Sequence, residues 1–237
     1  MPMKPERPKA SVYVDGFNLY RRLLAGYPQH KWVDLEALMD RVLPEYDVIQ
    51  VSYFTAIIKA LPGKDPSSPQ RQQAYLRALT TLPRVKIFMG KFRVDKRKMI
   101  LHPVEIQEDG QPRCVIVKKT EEKGSDVALA SRLLIDAMRG VSDVYVLCTN
   151  DSDLVMPLAL AQEELGADVG LLSPMEPKRS SNELKQANPV WHRQITPEDL
   201  AMSQLPDEVH DSKGRIIRPE KWSRTSEGSA EAEPSNQ

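Results

Sequence analysis

Four aspartates stand where apolar runs end or helices begin. Asp15 follows Ser11-Val12-Tyr13-Val14, Asp126 follows Gly124-Ser125, and Asp151 and Asp153 follow Val144-Tyr145-Val146-Leu147-Cys148. Short, near-continuous apolar runs predict buried parallel strands, and α/β folds gather their sites at the carboxyl ends of such strands. Carboxylates brought together there repel each other, a cost that a bound cation relieves. Hard oxygen donors suit Mg²⁺ or Mn²⁺, which keep waters for substrate phosphates. A metal so held generates hydroxide and stabilises a phosphate under in-line attack. The four histidines, His30, His102, His192 and His210, lie outside these motifs. With no serine–histidine–acid spacing either, histidine-based catalysis has no support.

Taken singly, each aspartate has an ordinary structural explanation. Asp15 could be a turn former, Asp126 complements the dipole of the helix it opens, and Asp153 reads as a cap in the first turn of its helix. Asp151 differs, because Ser152 or Asn150 could cap and leave its carboxylate free. The four together favour a metal site.

The elements that must position these residues alternate. A first strand is expected over 10–16, a helix over 17–26, and another over 34–43 with Asp34 as its N-cap. A strand follows over 46–58, a loop over 61–69, and a helix over 71–82 with Ala74, Ala78, Leu79 and Leu82 inside. After a strand at 84–91, segments 91–101 and 113–119 predict an antiparallel hairpin turning at Glu108-Asp109-Gly110. Ser125 is the expected cap of a helix over 126–138, with Val127, Ala130, Leu134 and Ala137 inward and Gly140 ending it. Next come a strand at 144–148, a helix over 152–165, a strand at 168–172, a short helix at 181–187 and an edge strand at 191–195. The alternation predicts a three-layer α/β/α sandwich with a mostly parallel central sheet and an inserted antiparallel hairpin.

The chain of 237 residues fits one domain with extensions. Residues 1–9 read as a flexible N-terminus, 10–200 as the domain and 201–237 as a C-terminal extension. Within that extension a hairpin turns at Ser212-Lys213-Gly214, and 228–237 are expected to be disordered. Thirty-three basic residues balance 33 acidic ones, so any polyanion site must come from local clustering. Two cysteines, Cys114 and Cys148, form neither a disulfide framework nor a zinc motif, and a reducing, cytoplasmic setting is expected. No signal peptide or membrane-length apolar run is evident, so no membrane partner is expected.

The segments Tyr13-Val14-Asp15-Gly16-Phe17-Asn18-Leu19-Tyr20, Glu122 to Ala130 and Thr149-Asn150-Asp151-Ser152-Asp153-Leu154 resemble the NYN-domain family, in its LabA-like branch of the PIN-like nucleases. Ser181-Asn182-Glu183-Leu184 resembles the serine-led helix after that family's last strand. The resemblance spans about residues 10–195. It implies a PIN-like fold and metal-dependent cleavage of RNA phosphodiesters. Carried over by motif, Asp15, Asp126 and Asp151 would be the principal metal ligands, and Asp153 would complete the pocket directly or through water. Asn18 would position Asp15 or touch the phosphate, and Lys123 would steady phosphate charge. Asn150 stands where the family often has glycine; asparagine tolerates left-handed backbone, so the turn is expected to survive.

RNA would need a positive surface near the acids. The hairpin offers Lys91, Arg93, Lys96, Arg97 and Lys98, joined by Lys118 and Lys119, with Phe92 placed to stack on a base. The competing explanation is lysines that blunt an exposed sheet edge. Lys59, Lys64 and Arg71 form a second group that reads as solvated charge. An RNA-binding or regulatory protein with a poorly active pocket is the alternative to a nuclease. A phosphatase of the haloacid-dehalogenase type wants a second aspartate where Phe17 stands. The sequence leaves the oligomeric state open, a homo-oligomer included.

Overall fold

The computed structural model of the chain describes residues 6–60, 63 and 65–223. Its centre is a six-stranded sheet in the order β3-β2-β1-β6-β7-β8, every neighbouring pair parallel. The strands are β1 (Lys9–Asp15), β2 (Asp47–Thr55), β3 (Val85–Met89), β6 (Val144–Cys148), β7 (Asp168–Ser173) and β8 (His192–Gln194). Strand order reverses between β1 and β6, which makes their carboxyl ends the topological switch point of the sheet.

Period-two alternation assigns each side of the sheet its own core. Val12 and Val14 of β1 and Val146 and Cys148 of β6 pack with α1 (Gly16–Leu19), α2 (Leu35–Val42) and α3 (Ser68–Leu79). Tyr13, Tyr145 and Leu147 face the other way, onto α4 (Ser125–Met138), α5 (Val155–Glu163) and α6 (Asn182–Gln186). These are the three expected layers. Asp34 caps α2 by accepting from the Ala37 amide at 2.9 Å, and Ser181 caps α6. The first helix runs on into a π-helical turn over Tyr20–Leu24 that the sequence does not announce.

In α4 the inward row differs from the expected one. Ser125, Leu129, Leu133, Asp136 and Ala137 are buried, Ala130 and Leu134 are half-buried, and Val127 is 71% exposed. The reason is polar: Asp136 is buried by accepting from Tyr13 Oη and Arg132 Nε, each at 2.9 Å. Hydropathy patterning assigns an aspartate outward, so it misplaces the face. The cap also shifts by one. Gly124, at φ +98°, holds the N-cap position and Ser125 is the first helical residue.

The inserted hairpin is its own antiparallel ribbon, β4 (Lys91–Ile100) with β5 (Cys114–Lys123), separate from the main sheet. Strand β5 runs on through Glu121-Glu122-Lys123, beyond its expected end at 119. Beyond α7 (Pro197–Met202), strands β9 (Glu208–Asp211) and β10 (Gly214–Ile217) pair around the expected turn. This hairpin is docked, not loose, with Ile216 and Trp222 buried in the core beside α2 and α3. Part of the loop at 61–69 (residues 61, 62 and 64) and the segment 228–237 lie outside the described residues. Among the described residues, no helix is long and apolar enough to cross a membrane.

Candidate active site

The switch point holds Asp15 and the loop after β6. Asp15 ends β1 and is only 4% exposed, because Gly16 lets strand β2 close over it. A methyl group on Gly16 would lie 2.6 Å from Tyr53 Cζ and 2.7 Å from the Phe54 carbonyl oxygen, so no larger residue fits without moving the strand. Asp15 also caps α1: its Oδ1 accepts from the Asn18 amide at 2.9 Å and its Oδ2 from Thr149 Oγ1 at 3.0 Å. Each oxygen keeps a lone pair for another partner.

Burial pushes the Asp15 carboxyl up to about 6, and the negative charges of Asp126 and Asp151 push the same way. The Asn18 amide and Thr149 hydroxyl oppose them without cancelling the rise. Asp126, in the first turn of α4, is also raised, first by burial and then by Asp151, Glu122 and Asp153. The structure therefore places all four aspartates in one electrostatic neighbourhood.

Asp151 proves to be the cap of the turn Ser152–Leu154, accepting from the Asp153 amide at 3.1 Å. The capping role expected of Asp153, Ser152 or Asn150 falls on Asp151 itself, and Asp153 keeps an exposed carboxylate. One Asp151 oxygen is thus engaged locally.

Four side chains knit this corner together, and two of them, Thr149 and Glu122, have no role assigned from the sequence. Thr149 is fully buried; its hydroxyl donates to Asp15 and accepts from the Asp151 amide at 3.1 Å, so one side chain couples both acids. Asn18 Oδ1 accepts from the Asn150 amide at 3.0 Å, and Asn150 Oδ1 accepts from the Ser181 amide at 2.6 Å. Asn150 thus acts through its side chain, and its backbone is not left-handed; Asn188 is the one non-glycine with positive φ among the described residues. Glu122 accepts from the Ser125 amide at 3.1 Å and hydroxyl at 2.6 Å, filling the space left by Gly90. Glu122 opens the second of the family-like segments, which is the signal that marks it in the sequence.

The basic residues are placed differently. Lys123 lies opposite Lys91 at the base of the ribbon, and its Nζ is 3.0 Å from Glu121 Oε2. Arg93 pairs with Asp95 and Arg97 with Glu121. Arg71 is bound to Asp65 at 2.7 Å, Lys59 is exposed, and Lys64 lies outside the described residues. Among the described residues, no three acidic, histidine or cysteine side chains already surround one point as a ready-made ion site. The donor chemistry nonetheless fits Mg²⁺ or Mn²⁺: hard oxygens with spare lone pairs, whose mutual repulsion a cation would relieve, and an ion that retains water ligands.

Thr149→Val keeps the shape but removes the bond that lowers Asp15. It is expected to cut any metal-dependent turnover by about 10–100-fold, the usual cost of losing a group that orients a metal ligand. The acid limb of the pH–rate profile should move to higher pH, because Asp15 would bind its proton more tightly. An unmoved limb would remove Thr149 from the site.

A three-layer α/β/α domain with acids clustered at its switch point is the frame on which the sequence comparisons fall. The chain belongs to the NYN domain family, which matches residues 9–192. That family is PIN-like and generally nuclease-related, and its nucleases generally use divalent metals. The chain is also 30% identical over 238 residues to 6-hydroxy-3-succinoylpyridine 3-monooxygenase HspA of Pseudomonas putida (strain DSM 28022 / S16), covering 90% of this chain and 75% of that protein. Among solved structures it is similar in fold to a protein of unknown function from Vibrio parahaemolyticus RIMD 2210633. That likeness has a TM-score of 0.54 at 15% identity and covers 86% of this chain and 99% of the other.

Proposed function

We propose that this protein is a metal-dependent nuclease, an endoribonuclease that hydrolyses RNA phosphodiesters at its aspartate cluster. The observation that carries the reading is Asp15, a carboxylate at the switch point that burial first, and two neighbouring acids after it, push up to about 6. A buried acid held against like charges is a costly arrangement that makes sense when a cation is its partner. Asp15, Asp126 and Asp151 would hold Mg²⁺ or Mn²⁺, with Asp153 reaching it through water. The metal supplies an activated water and neutralises charge developing on the phosphate. Asn18 and Thr149 hold the Asp15 carboxylate in one orientation, and Asn150 fixes the loop that carries Asp151.

The test is cleavage of a labelled RNA in Mn²⁺ beside the same reaction in EDTA, with Asp151→Asn as the variant. Cleavage in Mn²⁺, absent in EDTA and reduced at least a hundredfold or so in a folded Asp151→Asn protein, is expected. Undiminished cleavage by that variant would remove the assignment. Tight RNA binding in EDTA with no cleavage in any metal would favour an RNA-binding protein with a poorly active pocket. The Pseudomonas relative supplies a different second reading, oxygen insertion into a hydroxypyridine. Turnover of 6-hydroxy-3-succinoylpyridine with oxygen and an electron donor, without RNA cleavage, would replace the nuclease reading.

A further inference from the structure

The β4–β5 ribbon has two faces, and its register assigns every side chain to one of them. Directly opposed residues share a face, and successive residues alternate. One face carries Lys91 with Lys123, Arg93 with Glu121, Asp95 with Lys119, Arg97 with Val117, and Met99 with Val115. The other carries Phe92 with Glu122, Val94 with Thr120, Lys96 with Lys118, Lys98 with Ile116, and Ile100 with Cys114.

On the first face two acids, Asp95 and Glu121, engage four of the five cations. Arg93 is 3.4 Å from Asp95, Arg97 is 3.3 Å from Glu121, and Lys119 and Lys123 converge on the same Glu121. Hydrogen bonds from those two lysines hold the Glu121 carboxyl down at about 2. The second face keeps its charge. Among the described residues Lys96, Lys98 and Lys118 make no ion pair, and the acid on that face, Glu122, is at the base and bound to Ser125. Exposed apolar side chains alternate with these lysines: Val94 at 43%, Ile116 at 75% and Ile100 at 56%.

The base of this charged face adjoins the acids. Phe92 packs edge-on against Phe17, with centroids 5.5 Å apart, and Phe17 is two residues from Asp15. Glu122, opposite Phe92, is near enough to Asp126 to raise it. From Phe92 the Lys96–Lys118 pair is four residues along the strand, about 13 Å, and Lys98 is about 7 Å further. Each face carries three lysines, but among the described residues only on this face do all three lack an ion pair.

Resting on the nuclease reading, we infer that this face is the track along which a single RNA strand reaches the aspartate cluster. Lys96, Lys98 and Lys118 hold its phosphates, and Val94 and Ile116 lie against its bases and sugars. Of the basic residues read from the sequence, Lys96 and Lys98 lie on the track, Lys118 joins them, and Lys91, Arg93, Arg97 and Lys123 fall on the opposite face with Asp95 and Glu121.

The experiment compares two triple variants of the full chain, Lys96→Gln/Lys98→Gln/Lys118→Gln and Lys91→Gln/Arg93→Gln/Arg97→Gln. Binding to a fluorescein-labelled single-stranded RNA is followed by anisotropy across a salt series in EDTA, which keeps the strand whole. Neutralising three phosphates contributes about two to the slope of log K against log salt for a single strand. The first variant should lose that amount and bind roughly tenfold to a hundredfold more weakly near physiological salt, with unchanged circular dichroism. The second should keep the wild-type slope. Equal losses in both variants, or none in the first, would overturn the track while leaving RNA cleavage by the wild type as evidence for the nuclease. Failure of the wild type to bind RNA at all would overturn both. Binding to phosphatidylserine vesicles in place of RNA, lost in the first variant, would reassign the face to a lipid surface.

Discussion

Asp15→Asn is expected to abolish Mn²⁺-stimulated RNA cleavage and, in the same protein, to increase stability without metal. The two effects share one cause. Burial, helped by the charges of Asp126 and Asp151, raises Asp15 from the ordinary carboxylate range to about 6. A folded-state value above the unfolded one means that the native protein binds the proton more tightly. The associated stability is fully present below the unfolded value, near 4, and is lost as pH rises through 6. At pH 8 the charged carboxylate therefore costs about 3 kcal/mol, the equivalent of that shift. Asparagine keeps an oxygen for the Asn18 amide and can donate to the Thr149 hydroxyl, so it removes the charge without leaving a gap.

Metal-free urea denaturation should thus show the wild type losing stability between pH 4 and 6 relative to Asp15→Asn, with the variant ahead above pH 6. Adding Mn²⁺ should stabilise the wild type and leave the variant nearly unchanged. Activity should fall by at least about a hundredfold, since even groups behind the ligands are worth 10–100-fold. A variant that is less stable than wild type at pH 8 would mean that the carboxylate is held by its hydrogen bonds and needs no cation.

The elements that deliver these acids were legible because their signals are local. Val12 to Val14 and Val144 to Cys148 are apolar without interruption, and each ends in an acidic, turn-prone loop, so strand and site announce each other. The order of those strands was not legible. Nothing in the residues of β1 and β6 says that they are neighbours, and that adjacency alone brings Asp15 within reach of Thr149. Thr149 itself was unreadable, since a threonine after a strand has many uses and its coupling role depends on a partner 134 residues away. The inward row of α4 was misread because Asp136, a charged residue, is the one buried there beside Arg132 and Tyr13. On the ribbon the basic run was plain, but its division into a paired and an unpaired face needed the register. Glu121 and Asp95 engage half of the cations that the sequence displays there.

The C-terminal hairpin shows the same limit at larger scale, and Trp222→Ala should expose it. Its sequence has few apolar residues, which is why the pattern fades after Met202, yet two anchors hold it. Trp222 is 8% exposed and packs against Trp32 and Tyr75, with centroids 6.3 Å from each, while those two rings are 5.9 Å apart. Arg218 is buried beside it and donates to the Trp222 carbonyl at 2.7 Å and to the Gln29 carbonyl. Trp32 Nε1 in turn donates to the Pro206 carbonyl at 2.8 Å, so the hairpin closes over a side chain of the main domain. Removing a buried tryptophan costs about 3–5 kcal/mol, which in a chain of this length lowers the melting temperature by roughly ten degrees. Trp222→Phe should retain more than half of that stability, because a ring still fills the space between Trp32 and Tyr75. A melting temperature for Trp222→Ala within about two degrees of wild type, less than 1 kcal/mol, would mean that the hairpin rides on the surface and that the domain closes without it.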